Sequence, residues 1–434
     1  MSPQTDSSRD VLSPRLRPEA LDLLRVVGRE AEALSLRAYL VGGPVRDALL
    51  GRPVVDLDVV VEGSARDLAE ALAAALGARA VHHEAFGTAQ LRLGDGGHVD
   101  LATARTEVYG TPGALPTVTA AELKADLARR DFSINALAAC LSPEGFGTLL
   151  DPWGGYADLR HGLLRALHET SFRDDPTRIV RAASYLERLD LRLERLTADW
   201  LREAVEGEDL AAVTGARLGE QLRRALLTPV GPQVLLRLAA WGAATALGFP
   251  AGLEWPEALP ELRWAGRVLQ ASSEDLAEAT FALGTGSQGP ASADFLHLGK
   301  SYAQAASQLD AALEGGVLDA LGRAPGAGAA DEHLARLRSG VVLALWTLSG
   351  GPARRTIERW REAARGLALA VTGEDLKRAG IAPGPAIAVG LAAARRAALD
   401  ASATSAGEQR TIALRAAREA QERNGMASDL EAGI

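Results

Sequence analysis

The chain has 434 residues, 47% of them hydrophobic, which is enough for roughly two to four domains with cores of their own. Its single cysteine, Cys140, excludes an internal disulfide framework and a cysteine-based zinc site. The net charge of −9 gives no sign of a nucleic-acid partner, but phosphate binding depends on a local basic stripe rather than on the average charge.

Residues 1–17 are polar and contain proline and serine, which predicts a flexible N-terminus. This stretch lacks the apolar core of a signal peptide, and no later apolar run approaches the length of a membrane span. We therefore expect a cytoplasmic protein without a membrane partner. Residues 18–36 have the periodicity of a helix.

Between residues 37 and 150, short runs typical of strands alternate with helical segments. The runs are YLVG, LDVVVEG, AQLRLG and HVDLATAR, and an Ala/Leu-rich stretch over 65–76 predicts a helix between them. This pattern predicts an α/β head of limited size. From residue 151 onward strand signals nearly disappear, so the fold class is α/β followed by an all-α half.

One glycine-rich stretch in the helical half fits a nucleotide-binding pattern by its letters alone. Residues 284–289 read GTGSQG, which matches G-x-G-x-x-G. No strand is predicted before it, and a dinucleotide site needs a strand, a glycine turn and a helix in that order. We therefore expect a loop here rather than a binding site.

The most informative stretch is 39–61, in which a double glycine leads into an Asp-x-Asp pair. Gly42 and Gly43 precede a proline, which predicts a tight turn whose N–H groups can approach a phosphate. The valines around Asp56 and Asp58 predict one buried strand, on which residues i and i+2 point to the same face. Two adjacent carboxylates repel unless a cation lies between them, and Mg²⁺ accepts such a pair. The sequence therefore predicts a Mg²⁺ site at Asp56 and Asp58.

At this point the chain resembles the bacterial class II tRNA nucleotidyltransferase and poly(A) polymerase family, within the polymerase-β-like superfamily. The resemblance continues in order through LARRDFSINALA (127–138), LLDPWGGYADL (149–159), FRDDPTRIVRAASYLERL (172–189) and RLGEQLRRALL (217–227). It implies a polymerase-β-like nucleotidyltransferase head over 18–150 and a helical neck over 151–228 that selects nucleotides. It also implies a helical body over 229–365 and a helical, tRNA-binding tail over 366–434.

A third carboxylate would complete the metal-dependent catalytic site. Asp100 lies between two apolar residues, as Asp58 does, and we prefer it as the catalytic residue over the other candidate, Glu107. By resemblance, Arg46 in the helix after the glycine turn contacts the nucleotide triphosphate. Its neighbour Asp47 is expected to be the structural partner of an arginine.

The segment Arg129-Arg130-Asp131 places an acid beside two bases. A carboxylate can accept a hydrogen bond from a ribose 2′-OH, which would favour NTP over dNTP. The resemblance assigns that role to Asp131 and assigns phosphate binding to Arg130. Asn135 lies four residues further and would share a helical face with Asp131.

The block at 174–181 carries base selection in the family that this chain resembles. Asp175 and Arg178 are at i and i+3, which would place them on one helix face. A carboxylate accepts and a guanidinium donates, so the pair matches the amino donor and ring-nitrogen acceptor of cytosine and adenine. Arg181 resembles an additional triphosphate or base contact. Ser184 stands where many family members have another arginine.

Together these motifs predict a tRNA nucleotidyltransferase that adds CCA, or part of it, from CTP and ATP to the 3′ end of tRNA. Addition of A alone or of CC alone remains an alternative, although the near-full length of the loop over 108–128 argues against CC alone. Poly(A) polymerase is the next alternative, and a non-catalytic RNA-binding paralogue is a further one. The segment 372–400 resembles the family's tail, where Arg395 and Arg396 would face an RNA backbone.

Overall fold

The computed structural model describes residues 10–83, 87–94, 96–108, 110 and 117–431, with side chains described up to residue 423. The chain divides into two compact units, Met1–Leu218 and Gly219–Ile434. No helix in the described part of the chain combines the length and apolarity needed to cross a bilayer.

All the strands that the described residues form lie in unit 1. The same residues form nine α-helices there, and the ninth continues past residue 218. The strands are β1 (Arg37–Val41), β2 (Asp58–Glu62), β3 (Arg79–His83), β4 (Thr88–Arg92), β5 (His98–Thr103), β6 (Arg105–Val108), β7 (Thr117–Ala120), β8 (Ala138–Cys140), β9 (Leu149–Leu150), β10 (Leu163–Leu164) and β11 (Arg192–Leu193). The helices are α1 (Pro18–Ala33), α2 (Gly43–Leu49), α3 (Ala65–Leu76), α4 (Leu123–Ala128), α5 (Gly155–His161), α6 (Ser171–Asp174), α7 (Arg178–Leu189), α8 (Arg195–Glu206) and α9 (Gly215–Leu226).

A seven-stranded mixed sheet forms the centre of unit 1, in the order β3-β4-β5-β2-β1-β8-β9. Strands β2 and β5 are parallel, whereas the other neighbouring pairs are antiparallel. The parallel register sets Asp58 directly beside Asp100. Apart from this sheet, β6 pairs with β7, and β10 pairs with β11.

The predicted α/β head with helices after it is confirmed. The helix expected over 65–76 is α3, with the same bounds. It begins there because the Ser64 side chain accepts a hydrogen bond from the N–H of Asp67, and it ends there because Gly77 adopts a left-handed conformation. The four predicted strand runs correspond to β1, β2, β4 and β5. In unit 1 beyond residue 151, only the two-residue strands β10 and β11 occur.

A buried apolar cluster supports the sheet beneath the cleft that is described below. It joins side chains of β1, β2 and β8 to two leucines of α4 and consists of Tyr39, Val41, Val60, Ala104, Leu123, Leu127, Ala136 and Ala138. Alternate residues of a strand point to the same face, which is why Tyr39 and Val41 both enter this cluster. The cluster fixes α4 and the arginines that follow it against the sheet.

Gly155 at the start of α5 makes a close backbone contact that leaves no room for a side chain. An added Cβ would lie 2.0 Å from the carbonyl oxygen of Ser133, two residues after Asp131. We expect Gly155→Ala to lower the free energy of unfolding by about 1–3 kcal/mol, because backbone must move to relieve the overlap. Thermal unfolding checks this, with Gly94→Ala as a control, since an added Cβ there meets nothing within 4 Å. Equal melting temperatures for the two variants would contradict the close packing.

The described residues of unit 2 form helices joined by turns and irregular segments, without strands. The helices are α10 (Gly231–Ala240), α11 (Leu259–Leu269), α12 (Ser273–Thr285), α13 (Gly289–Phe295), α14 (Lys300–Glu314), α15 (Val317–Arg323), α16 (Ala327–Leu334), α17 (Ser339–Leu348), α18 (Gly351–Ala364), α19 (Gly373–Arg378), α20 (Pro385–Leu399) and α21 (Ala406–Glu431). Helix α17 is apolar and buried over most of its length, as expected for a helix at the centre of a core. A salt bridge between Arg338 and the buried Glu278 lies beside it, with 2.9 Å between Nε and Oε2.

One expectation for the helical half needs correction. The GTGSQG stretch is not a loop, because α12 extends to Thr285, a short 3₁₀ helix covers Gly286–Gln288, and α13 begins at Gly289. Arg395 donates from Nε to Asp331 at 2.7 Å, and Arg396 is paired with Glu332. Both arginines thus pair with acidic residues of α16, and their contact with an RNA backbone stays a prediction.

Candidate active site

A polar cleft of about 380 Å³ in unit 1 brings together residues from distant parts of the sequence. Its lining consists of Gly42, Gly43, Arg46, Asp58, Glu107, Arg129, Arg130, Asp131, Asn135, Asp175, Arg178, Arg181, Tyr185 and Arg188. All nine residues predicted to bind the nucleotide lie in this set, along with one of the predicted metal ligands. A second cavity of about 320 Å³ shares Asp58, Arg129 and Arg130 with the cleft and contains Asp100.

The two carboxylates of the Asp-x-Asp pair do not lie on one buried strand as predicted. Strand β2 begins at Asp58, whereas Asp56 lies before it and is exposed, as is Val55. The strand begins only where pairing with β5 begins, and the N–H of Asp100 donates to the carbonyl of Leu57 at that point. Asp58 instead has Asp100 as its neighbour across the parallel pair.

Asp58 nevertheless feels the charge of both other aspartates. Desolvation and the neighbouring Asp100 carboxylate raise the pKa of Asp58 above its ordinary value, and Asp56 adds to the effect. Arg130 opposes this shift without cancelling it. Concentrated negative charge that the surrounding protein does not neutralise is the environment that attracts a cation.

Glu107, the other candidate for the third carboxylate, has different partners. Its Oε1 accepts from Arg129 Nη1 at 2.7 Å and from Arg105 Nη2 at 3.0 Å. Asp100 accepts from Gln90 Nε2 at 3.0 Å, and its other oxygen lies 3.7 Å from Nε2 of His98. Asp100 is thus the candidate that adjoins Asp58, while Glu107 holds two arginines at the edge of the cleft.

The donor set at Asp56, Asp58 and Asp100 fits a hard divalent cation. All of its ligand atoms are carboxylate oxygens, and one or two carboxylates suffice when water and substrate phosphates complete the coordination. Within the described ranges, no group of three or more His, Cys, Asp or Glu residues is already arranged to hold an ion. Water and substrate phosphates would supply the remaining ligands of a metal bound at these carboxylates.

Gly42 allows an arginine to lie across the glycine turn. Its φ of +72° favours glycine, and an added Cβ would lie 2.8 Å from Nη1 of Arg130. Arg130 donates from Nη2 to the fully buried Asp126 at 3.0 Å. Its buried Nε has no hydrogen-bond partner among the described residues. A phosphate oxygen is the kind of acceptor that this N–H lacks.

A hydrogen-bonded chain links Arg46 to Arg181 across the cleft. Arg46 makes a two-point contact with Asp47 at 2.9 Å, and its Nη1 donates to Asn135 at 2.6 Å. Asn135 donates to Oδ1 of Asp131 at 2.9 Å. Arg181 donates to Oδ2 of Asp131 from both Nε, at 2.8 Å, and Nη2. Asp47 is thus the arginine partner that the sequence predicted.

The buried Asp131 carboxylate is fully occupied in this structure. In addition to Asn135 and Arg181, the N–H of Phe132 donates to Oδ1 at 2.8 Å. Burial alone would raise the pKa of Asp131, but the Arg181 guanidinium and the Asn135 hydrogen bond outweigh it and hold the pKa below its usual value. The helical face predicted for Asp131 and Asn135 is absent, because only the short 3₁₀ helix Ser133–Asn135 forms here. The contact between the two side chains forms all the same.

Sequence reasoning missed Tyr185, which lies between two of the cleft arginines. The guanidinium carbon of Arg46 is 5.3 Å from the centre of the Tyr185 ring, and that of Arg181 is 5.9 Å away. The ring also meets Phe132 edge-on at 5.8 Å. The spacing from Arg181 to Tyr185 is i to i+4, which could have placed Tyr185 on the same face of α7. Arg188, one turn beyond Ser184, also lines the cleft.

Asp175 and Arg178 both line the cleft, but not as an i,i+3 pair on one helix. Helix α7 begins at Arg178, and Asp175 has an extended backbone before it. Asp175 accepts from Thr177 and Arg217. Arg178 donates to Ser171 Oγ at 2.6 Å and to the Arg129 carbonyl at 2.8 Å. Each side chain is therefore held separately by its own partners.

The predicted loop over 108–128 is described only in part. Its first residue ends β6, strand β7 within it pairs with β6 as an antiparallel ladder, and α4 covers its last six residues. The Gly-Ala-Leu-Pro stretch at 113–116 lies outside the described residues.

Comparison with known proteins gives consistent matches. A family model described as Poly A polymerase head domain matches residues 38–165. The A-adding tRNA nucleotidyltransferase of Halalkalibacterium halodurans is 44% identical over 195 residues, which are 45% of this chain and 46% of that protein. The CC-adding tRNA nucleotidyltransferase of Deinococcus radiodurans is 42% identical over 259 residues, covering 60% of this chain and 66% of that protein.

The solved Thermotoga maritima CCA-adding enzyme complexed with tRNA-CCA covers 94% of this chain and 98% of its own, with a TM-score of 0.73 and 29% identity. The chain spans only 23% to 46% of the length of the A-adding relatives that it matches. The ordered motifs, the mixed sheet with its adjoining aspartates and these matches agree with one another. The chain belongs to the class II tRNA nucleotidyltransferase family.

Proposed function

We propose that this protein adds CCA, or part of it, to the 3′ end of tRNA from CTP and ATP without a nucleic-acid template, releasing pyrophosphate. One observation carries the proposal: a single cleft joins Asp58 to the segment at 129–135 and to the segment at 175–188. A carboxylate site for a metal, a set of phosphate-binding arginines and a base-reading pair thus adjoin one another. A tRNA substrate and a single cysteine fit a cytoplasmic location.

In this proposal Asp56 and Asp58 hold Mg²⁺, with Asp100 as the third carboxylate. Mg²⁺ bound there would activate the terminal 3′-hydroxyl of the tRNA and neutralise charge on the departing pyrophosphate. The protein contributes by orientation, since the parallel register of β2 and β5 fixes the spacing of Asp58 and Asp100. In an in-line displacement at the α-phosphate the attacking group is the tRNA 3′-hydroxyl, so the protein contributes positioning rather than a nucleophile of its own.

The triphosphate is held by arginines on three sides of the cleft. Arg46 on α2, Arg130 after α4 and Arg181 on α7 all line the cleft, with Gly42 and Gly43 permitting close approach of the backbone. Guanidinium groups suit phosphate oxygens because their N–H donors can bind two oxygens at once.

In this proposal Asp131 accepts a hydrogen bond from the ribose 2′-OH, which requires that one of its present donors be released. Four N–H groups already donate to its two oxygens, which fills the usual capacity of a carboxylate. A ribose 2′-OH can donate to Asp131 only when Arg181 releases one of its two bonds. An incoming triphosphate offers Arg181 that alternative acceptor, so phosphate binding and ribose reading would be coupled.

Asp175 and Arg178 select the base. The carboxylate accepts from the amino group of cytosine or adenine, and the guanidinium donates to the adjacent ring nitrogen. Uracil and guanine have the donor and the acceptor in the opposite order, so either base would leave a buried group without a partner.

Addition of A alone is a second candidate function, favoured by the similarity to the A-adding relatives named above.

The test is incorporation of each of the four NTPs into tRNA ending at the discriminator base, at C and at CC, with Mg²⁺ present. We expect CTP or ATP to be used and UTP and GTP to be refused. The three acceptors separate addition of CCA, of CC and of A alone. A tRNA that already ends in CCA serves as the control that should not be extended.

Two results would count against the proposal. Failure to incorporate any nucleotide into any of the three acceptors would overturn the enzymatic function and favour an RNA-binding role. Long A tracts on RNA of arbitrary sequence would indicate a poly(A) polymerase instead.

A further inference from the structure

The Asp175 carboxylate is fixed through only one of its two oxygens. Three donors meet at Oδ1: the N–H of Thr177 at 3.2 Å, the hydroxyl of Thr177 at 2.7 Å and Nη2 of Arg217 at 3.1 Å. Among the described contacts, Oδ2 accepts no hydrogen bond from the protein. Because Asp175 lines the cleft, Oδ2 is the oxygen left to meet a base.

The donors to Asp175 differ in where they come from. Thr177 is two residues along the chain, so its hydrogen bonds form a local turn that moves together with Asp175. Arg217 is 42 residues away and lies on α9, a separate helix. A contact from a separate helix fixes the carboxylate relative to the rest of unit 1, which a local turn cannot do.

We propose that Arg217 is a positioning residue that sets nucleotide choice by orienting the carboxylate of Asp175; this inference rests on the proposed function. Arg217 is not among the cleft-lining residues, so it acts on the base through Asp175 rather than by touching the nucleotide. Its counterpart across the base is already rigid, because Arg178 is buried and donates to Ser171 and to the Arg129 carbonyl. Arg217 gives Asp175 the equivalent support.

Loss of this support should affect discrimination more than rate. A carboxylate that can turn about its Cβ–Cγ bond still accepts from an amino group, but it can also turn away from the carbonyl oxygen of a wrong base. The repulsion that rejects UTP and GTP then weakens, while the groups that bind the triphosphate stay in place.

The experiment measures kcat/KM for CTP or ATP and for UTP on the tRNA acceptor that the wild-type protein extends. In Arg217→Ala we expect the preference over UTP to fall about three- to tenfold, since the pair is only partly buried. Arg217→Lys keeps a donor and a charge near Oδ1, and we expect it to retain most of the preference.

A double-mutant cycle with Asp175→Ala tests whether Arg217 acts through Asp175. If it does, Arg217→Ala should cause no further loss of preference in a protein that already carries Asp175→Ala. If the double variant instead loses preference over UTP by the product of the two single losses, Arg217 acts independently of Asp175, and the proposal is overturned.

Two further variants guard against a general effect on the fold. Arg224→Ala removes an exposed arginine of the same helix, one that pairs with Glu220, and should leave the preference over UTP unchanged. Thr177→Val removes the hydroxyl donor to Oδ1 while keeping the side-chain shape. We expect it to lower the preference less than Arg217→Ala does, because the support from α9 stays in place. If Arg217→Ala does not fold, Arg217→Met, which keeps the length of the side chain and removes its donors, takes its place in the test.

An unchanged preference in folded Arg217→Ala, or in folded Arg217→Met, would overturn the positioning role of Arg217. That outcome differs from failure of the proposed function, in which the wild-type protein would incorporate no nucleotide at all.

Discussion

The substitution Asp58→Asn should lower nucleotide incorporation by about a thousandfold or more, because it removes a charged metal ligand from the centre of the site. Binding of tRNA should be nearly unchanged, since phosphate contacts elsewhere carry that affinity. The variant should also remain folded, because the raised pKa of Asp58 reflects desolvation of its carboxylate and repulsion by Asp100, and the neutral amide relieves both. Asp56→Asn is expected to act in the same direction.

Single-turnover incorporation and filter binding of the same protein preparation separate these effects. Asp67→Asn is the matched control, because Asp67 lies at the exposed first turn of α3 and does not line the cleft. Near-normal turnover in Asp58→Asn would show that the carboxylate is not required, and would remove the basis of the metal-dependent mechanism.

The substitution Asp131→Asn should cost about 3 kcal/mol of stability at neutral pH, because it leaves the Arg181 guanidinium without its counter-charge. The pKa of folded Asp131 lies below its ordinary value, so its stabilising effect is fully present above the unfolded pKa of about 4. The effect is lost as the pH falls through the lower, folded pKa. The stability difference between wild type and variant should therefore narrow in acid.

Urea unfolding at pH 7 and at successive steps below pH 4 measures this difference. Asp199→Asn is the matched control, because Asp199 pairs with Arg202 on an exposed helix surface at 2.8 Å and such pairs contribute little. Equal stability of wild type and Asp131→Asn at pH 7 would contradict the role of Asp131 as the anchor of Arg181.

The sequence predicted elements that depend on local signals. Helix α3 could be bounded because Ser64 and Gly77 are ordinary start and stop residues for a helix. The strands could be located because their apolar runs are short and lie between turn residues. The cleft residues could be named only through resemblance, since nothing local in the sequence brings Arg46 near Asn135, 89 residues away.

Two errors had a local cause that the sequence already contained. Asp175 precedes Pro176, and a residue before proline is disfavoured in a helix, which explains why α7 begins only at Arg178. The valines before Asp56 were interpreted as strand, although Pro53 directly before them argues for an irregular segment, and Val55 is exposed in the structure. The contact between Arg217 and Asp175 had no such signal, because it depends on how α9 packs.

The pairing of the cleft arginines has a consequence for how a nucleotide binds. Arg46, Arg129, Arg130 and Arg181 each already hold a carboxylate of the protein. An entering triphosphate must therefore compete with fixed internal counter-charges rather than with dissolved ions. Nucleotide affinity then depends on an exchange of partners inside the protein, which bulk ionic strength affects only weakly. RNA binding, which releases ions from the nucleic acid itself, would remain strongly dependent on salt.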